Sequence, residues 1–279
     1  GLMRQYFGPT AHGGQTVLDR SGVVFAAAAR PGLIYRIEAA QKGAIVAGTA
    51  DALDGLFANA ASLGAPVKLS FDGQGNLYIA DNNHGRIRRV DAKTGIITTT
   101  RVESNVDSVH VDRAGNIYVG SKGISRIEAG TGTVTTVVGR VWSVSEVRLE
   151  DGMRAADGRV IFVEGMTSDA AGNLYFTAGE ATQRVWKVEG ATGLLRLVAG
   201  NGTLGNTGDG GLATAASLTY PNDLALDGRG NLLIAHRGSD RLRQVNLAAG
   251  IISSVPVELE GSQWGVTVDA RGNIYVSVG

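Results

Sequence analysis

The segment Asp72-Gly-Gln-Gly-Asn-Leu-Tyr78 returns along the chain as Asp112-Arg-Ala-Gly-Asn-Ile-Tyr118, Asp169-Ala-Ala-Gly-Asn-Leu-Tyr175, Asp227-Gly-Arg-Gly-Asn-Leu-Leu233 and Asp269-Ala-Arg-Gly-Asn-Ile-Tyr275. A worn copy, Asp19-Arg-Ser-Gly-Val-Val-Phe25, keeps the Asp, the Gly and the aromatic. Apolar alternation precedes each copy and a short β-branched or aromatic run follows it. The Asp can accept from backbone N–H groups ahead of it and the Gly can take a positive φ, so each copy reads as a hairpin turn. Turns spaced about forty to sixty residues apart from end to end imply one repeat domain, residues 1–279.

The unit is clearest between Val67 and Thr100. Val67–Phe71 alternates as a first strand (A) and Leu77–Ala80 follows the turn as a second (B). Asp81–Gly85 turns into strand C at Arg86–Val90, and Thr94-Gly95 turns into strand D at Ile96–Thr100. Four antiparallel strands in about forty residues make one propeller blade, so six turns predict a six-bladed all-β propeller. Three D-to-A connections are long: Gly48–Pro66, Gly139–Val163 and Gly200–Pro221. Two of them share an Ala-rich run, Ala58-Asn-Ala-Ala-Ser-Leu63 and Ala213-Thr-Ala-Ala-Ser-Leu218, read as a short helical turn lying on one face of the ring. Unequal loops on one face make a surface with walls and a floor, which suits binding.

Composition narrows the function. Lys+Arg and Asp+Glu balance at 26 each, which argues against a general nucleic-acid or membrane-surface binder. There is no cysteine, so disulfides and thiolate chemistry are excluded. No apolar run approaches the roughly 18 residues of a membrane span. The chain opens on Gly1 and stops at Gly279, four residues after Tyr275, so a removed leader and a truncated last blade are both expected. The unassigned N-terminal stretch then has to close the ring: Leu2–Phe7 alternates well enough to pair with the last blade, which would be three-stranded or take its outermost strand from another molecule.

The run Asp-x-x-Gly-Asn-Leu-Tyr, then Asp-x-x-x-x-Arg-Ile-Arg-x-Val, then Thr-Gly-Ile-Ile-Thr-Thr resembles the NHL-repeat family of β-propellers. The loop from Ala199-Gly-Asn-Gly-Thr203 to Pro221 is similar to loops of bacterial secreted NHL proteins and of the teneurin NHL domain. The resemblance covers essentially the whole chain. It implies a propeller of NHL type and an extracellular or periplasmic location. It says little about activity, since the superfamily holds interaction modules, RNA binders, sensors, hydrolases and lyases.

Several polar groups recur. Arg86, Arg184 and Arg241 share one register of strand C; Arg36, Arg89, Arg126 and Lys187 share another, each followed two residues later by Glu38, Asp91, Glu128 or Glu189. Repetition in most blades favours structural ion pairs over an anion-binding surface. The four histidines, His12, His84, His110 and His236, show no metal-ligand spacing, and His110 on strand A reads as an interior side chain. The ring at the start of strand A is more informative. Five residues before each turn Asp stand Gly14, Val67, Asp107, Glu164, Asn222 and Trp264; four before stand Gln15, Lys68, Ser108, Gly165, Asp223 and Gly265.

Asp107, Glu164, Asn222 and Asp223 therefore converge on the channel mouth, and oxygen ligands of that kind suit Ca2+. The arrangement is similar to the calcium site of gluconolactonase-like propellers. Trp264, with Lys68, Gln15 and His110, is the expected ligand-contacting set, the indole offering a flat stacking face. The chain is thus read as a rigid, monomeric platform that binds a protein, peptide or glycan on the long-loop face. The alternative is a metal-assisted hydrolase or lyase acting on a small ester or lactone, with a carboxylate or His110 as base.

Overall fold

The computed structural model describes residues 3–7, 15–29, 32–37, 43–48, 54–102 and 105–279. Leu2, His12, Gly14 and Glu38 lie outside the described residues. In chain order, β1 is Met3–Phe7. Blade one contains β2 (Thr16–Leu18), β3 (Val24–Ala28), β4 (Leu33–Ile37) and β5 (Gly43–Ala47). Blade two contains β6 (Pro66–Phe71), β7 (Leu77–Asp81), β8 (Arg86–Val90) and β9 (Ile97–Arg101). Blade three has β10 (Ser108–Val111), β11 (Ile117–Ser121), β12 (Gly123–Ile127), β13 (Val134–Arg140) and a short fifth strand β14 (Arg159–Val160). Blade four has β15 (Met166–Ser168), β16 (Leu174–Ala178), the one-turn helix α1 (Gly179–Thr182), β17 (Arg184–Val188) and β18 (Leu195–Ala199). Blade five has β19 (Pro221–Leu226), β20 (Asn231–His236), β21 (Arg243–Asn246) and β22 (Ile251–Ser254); β23 (Gln263–Val268) and β24 (Ile274–Val278) complete the order.

The sheets are antiparallel meanders except for two parallel pairs, β13–β14 and β1–β24, and β2 packs on β6, β6 on β10, β10 on β15, β15 on β19, β19 on β23, and β23 on β2, so these strands lie innermost. This is an all-β propeller. Five sheets are complete blades of four or five strands, where six were expected; the remaining sheet has three strands in the order β1-β24-β23. Its β1 runs parallel to β24, Met3 opposite Ile274 and Phe7 opposite Val278. A parallel neighbour cannot be delivered by a hairpin, so this strand comes from the far end of the chain.

The repeated turn works as its composition implies. In blade four, Asp169 Oδ1 accepts from Ala171 N at 2.9 Å and Asn173 N at 3.0 Å, and Oδ2 accepts from Asn173 Nδ2 at 2.7 Å and Tyr175 OH at 3.2 Å. The Asn also bonds in the other direction, since Asn76, Asn116 and Asn173 each accept through Oδ1 from a backbone N–H just after strand C, at 3.0 Å. The Asp-x-x-Gly-Asn pattern thus ties the A–B turn to the C–D side of its own sheet. The strand C pairs are structural too, with Arg89–Asp91 at 3.1 Å, Lys187–Glu189 at 3.8 Å and Arg126–Glu128 at 4.0 Å.

The long connections do not wall one face. Each lies along the outer strand of the blade that follows it and wedges an Ala turn between two sheets. Gly55 N donates to Ile97 O and Ala58 N to Gly95 O; Gly152 N to Leu195 O and Ala155 N to Gly193 O; Gly210 N to Ile252 O and Ala213 N to Gly250 O. Ala58, Ala155 and Ala213 are buried in apolar clusters that join neighbouring blades. The wedge motif is Asp-Gly-x-x-Ala, with Asp54, Asp151 and Asp209 each reaching the outer strand; Asp54 and Asp209 also hold the buried guanidinium groups of Arg88 and Arg243. Burial of the Ala side chain among the Leu, Ile and Val side chains of the two sheets holds the wedge in place.

Replacing Asp169 with Ala removes four hydrogen bonds from one turn and should cost about 2 kcal/mol in urea unfolding. Burial raises the Asp169 pKa, but bonds from Asn173, Tyr175 and Ala171 outweigh it and hold the pKa below the usual 3.8. The stabilisation is therefore present above the unfolded pKa and lost as pH falls through the lower folded value. Accordingly, Asp169→Ala should lie below the parent at neutral pH and draw level with it in acid; a constant gap at all pH values would refute the assignment.

Candidate binding site at the channel mouth

The inner strand of a propeller blade pairs on one side only, so its other row of N–H and C=O groups faces its neighbour or the channel. Side chains four residues before the turn Asp satisfy part of that row. Gln15 Oε1 accepts from Leu69 N at 2.7 Å, Asp223 Oδ2 accepts from Val266 N at 2.9 Å, and the Ser108 hydroxyl donates to Val163 O. Two residues further on, Ser70 Oγ accepts from Val111 N at 3.0 Å. Where this register holds Gly165 the backbones meet directly: a Cβ there would lie 2.7 Å from Asp223 Cα.

Asp223 is the hub. Its carboxylate receives Gln15 Nε2 at 3.1–3.2 Å and the Lys68 ammonium at 3.2 Å, and Lys68 also donates to Asn222 O at 3.2 Å. The Lys68 and Asp223 side chains are 9% and 2% exposed. Blade two is thereby bonded to blade five across the channel. Gln15 and Lys68 line both an upper cleft of ≈ 240 Å³ and a lower cavity of ≈ 640 Å³, so this network stands between the two.

The upper cleft takes the residues one position earlier. Asp107, Glu164, Asn222 and Trp264 line it, with Asn82 and Arg237 from the B–C turns of blades two and five. Asn82 Nδ2 donates to Asp107 Oδ1 at 2.9 Å. Arg237 pairs with Glu164 at 3.4 Å and with Glu180 of α1, and its Cζ lies 5.6 Å from the Trp264 ring centroid. Phe162 (φ 58°) and Tyr220 (φ 46°) stand in the left-handed region two residues before Glu164 and Asn222. Bulky residues rarely accept that backbone, which here bends the chain from the rim into the mouth.

Burial raises the pKa of Glu164, with Arg237 and Lys68 opposing and Glu180 and Asp107 adding to the rise. Burial likewise raises that of Asp107, against the bond from Asn82. On the side chains lining the cleft, two buried polar atoms find no partner among the described residues: Asn222 Oδ1, on a residue 3% exposed, and the Trp264 indole N–H.

The sequence-based set therefore divides. Asp107, Glu164, Asn222 and Trp264 meet in the cleft. Asp223, Lys68 and Gln15 are committed to one another, and the Lys68 ammonium already supplies the positive charge at Asp223. The four-residue calcium set does not fit as a whole, and among the described residues no three His, Asp or Glu side chains gather as metal ligands. His110 is not at the mouth: it lines the lower cavity and bonds Ser168 Oγ through Nε2 at 2.7 Å, burial pushing its imidazole down to about 4. Asn82 and Arg237 were not anticipated. Both sit ten residues after a turn Asp, a register shared with Ala29 and Lys122, so counting forward as well as back would have found them.

The fold places this chain among the β-propeller proteins. No protein-family model matches it, and no curated protein does. Solved structures do. A Bacteroides thetaiotaomicron protein of unknown function is 18% identical with a TM-score of 0.62, over 80% of this chain and 56% of that one. Virginiamycin B lyase from Staphylococcus aureus is 14% identical with a TM-score of 0.57, over 91% and 73%. A chain of the nidogen–laminin complex is 17% identical with a TM-score of 0.62, over 91% and 84%. At such identities the likeness is one of fold alone. Among the described residues no helix is long and apolar enough to cross a membrane.

Removing the Lys68 ammonium leaves the buried Asp223 carboxylate without its counter-charge. Lys68→Ala should destabilise the protein by about 3 kcal/mol in urea, and Lys68→Met combined with Asp223→Asn, which keeps an acceptor for Val266 N, should recover part of the loss. Equal costs for the single and the double variant would show that the loss does not come from a carboxylate left without its counter-charge.

Proposed function

We propose that this chain is a rigid NHL-like propeller that binds a protein, peptide or glycan at the channel mouth. Taking the three-stranded sheet as a sixth blade, with β1 closing the ring, completes the frame around that mouth. The observation that carries the reading is the cleft itself: five blades and the three-stranded sheet contribute side chains to one small polar pocket whose Asn222 Oδ1 and Trp264 N–H lack partners among the described residues. Groups left unsatisfied in a rigid frame cost free energy that a ligand can recover. The nidogen–laminin likeness is compatible with a binding role. The residues at the mouth come from inner strands and B–C turns, so the platform is the ring's centre and not its long loops.

A second reading, an enzyme acting on a small ester or lactone, draws on the raised pKa values of Glu164 and Asp107, since a protonated carboxyl in a cleft can serve as a general acid. The similarity to a lyase fold is compatible with it.

Immobilised protein challenged with peptide and glycan arrays separates the two. The binding reading expects retained ligands whose capture falls about tenfold or more in Trp264→Ala and is unchanged in Phe57→Ala, an exposed rim substitution. Capture insensitive to Trp264, or turnover of a lactone without stable capture, would overturn it.

A further inference from the structure

The cleft has a surplus of hydrogen-bond acceptors. Its cationic and amide donors are already engaged: Lys68 with Asp223 and Asn222 O, Arg237 with Glu164 and Glu180, the Asn82 amide with Asp107 and Val106 O, and the Gln15 amide with Asp223; the Trp264 indole N–H is the exception. The carboxylates keep capacity, since each can accept about four bonds. Asn222 Oδ1 accepts none from the described residues although its residue is only 3% exposed, and it lines the same cleft. The charges lean the same way. Asp107, Glu164, Glu180 and Asp223 face Lys68 and Arg237, with Lys122 acting on Asp107 from farther off while its ammonium lies 3.9 Å from the Trp142 ring.

A ligand that completes this site must bring positive charge and several N–H donors. A bare metal ion needs ligands converging on one point, and among the described residues no three His, Asp or Glu side chains gather in that way. A guanidinium or ammonium spreads its donors over several directions and matches acceptors that stand apart. A cleft of ≈ 240 Å³ has room for one long side chain and not for a folded element. The unpartnered Trp264 N–H then offers a donor to a backbone carbonyl of the same ligand, and its ring offers a face to the cation.

We propose that the channel mouth recognises the cationic side chain of an arginine or lysine presented by a partner peptide. Asp107 and Glu164 carry the opposing charge, and Asn222 Oδ1 accepts one of the ligand's N–H groups. This rests on the reading of the mouth as a binding platform and names the chemistry of what it binds.

The test is calorimetric titration of the whole chain with acetyl-Gly-Arg-Gly-amide, the same peptide carrying neutral citrulline in place of arginine, agmatine, and calcium chloride. The arginine peptide should bind about tenfold or more tightly than the citrulline peptide, with agmatine binding detectably. Asp107→Asn and Glu164→Gln should each erase most of that preference. Should either variant melt early, Asn222→Asp provides the complementary check, because a carboxylate at the unpartnered position should strengthen the preference for arginine. Equal affinity for the two peptides, or a preference that survives in Asp107→Asn and Glu164→Gln, overturns the charge assignment while leaving the platform reading standing. Absence of binding by the arginine peptide and by agmatine overturns the cation assignment, while the platform reading stands or falls on the arrays. Calcium binding that depends on Asp107 and Glu164, without arginine-peptide binding, would make the site one for a metal ion.

Discussion

The constraint on which the molecule depends is the free edge of its inner strands. A sheet with a bare edge exposes unpaired N–H and C=O groups, and in a propeller those edges converge where solvent is scarce. Here the edge is partly satisfied from the side. Gln15, Ser70 and Asp223 accept backbone N–H groups of the next sheet, and Ser108 donates to a carbonyl of the next. Polarity at the axis is therefore needed for the sheets to meet at all. That weakens any inference from channel polarity to catalysis, and it explains why a buried lysine and aspartate can coexist there without being an active site.

Burial of charge sets the second level. Asp223 receives an ammonium, an amide and a backbone N–H, the degree of satisfaction a carboxylate needs when water is removed. Arg88 and Arg243, fully buried on strand C, are met by Asp54 and Asp209 from the wedges between blades. The wedge thus fills the gap between sheets with its Ala turn and carries the counter-charge for an arginine of the outer layer. Glu164 and Asp107 are different. Their burial is only partly compensated, which is why their pKa values move up while those of the turn aspartates Asp72, Asp169, Asp227 and Asp269 move down.

Much of the frame was legible in the sequence because turn chemistry is local. The Asp-x-x-Gly-Asn copies located the hairpins, and the alternation before each copy located the inner strands, since both depend on residues a few positions apart. The offset from the turn Asp also brought Asp107, Glu164, Asn222 and Trp264 to the same cleft. What could not be read depends on distant partners. That Asp223 is consumed by Lys68 is a fact about two strands on opposite sides of the channel, and nothing local to either residue reveals it. The placement of the long connections failed for a related reason. Ala-rich runs look like exposed helical turns until the two sheets they pack between are known. The third wedge, Asp151-Gly152-Met153-Arg154-Ala155, escaped because its Ala run is short, although its Asp-Gly-x-x-Ala spacing matches the others.

The separation of frame from site comes down to one residue of register. At the start of strand A the regular pairing is broken: the register shifts across Asn222 and across Trp264, and Asp107 and Glu164 stand just ahead of their strands, so neighbours there are given different surroundings. Asp223 turns toward the adjacent inner strands and accepts from Lys68, Gln15 and Val266 N; Asn222, immediately before it, lines the cleft with an oxygen that finds no partner among the described residues. Gln15 and Ser108 repeat the inward role in other blades, while Asp107 and Glu164 repeat the outward one. The fold can thus hold its inner edges together with one position and leave the next free to vary from blade to blade. Repetition accordingly marks the architecture, and specificity resides where the repeat is broken: an Asp, a Glu, an Asn and a Trp standing at equivalent places around the mouth.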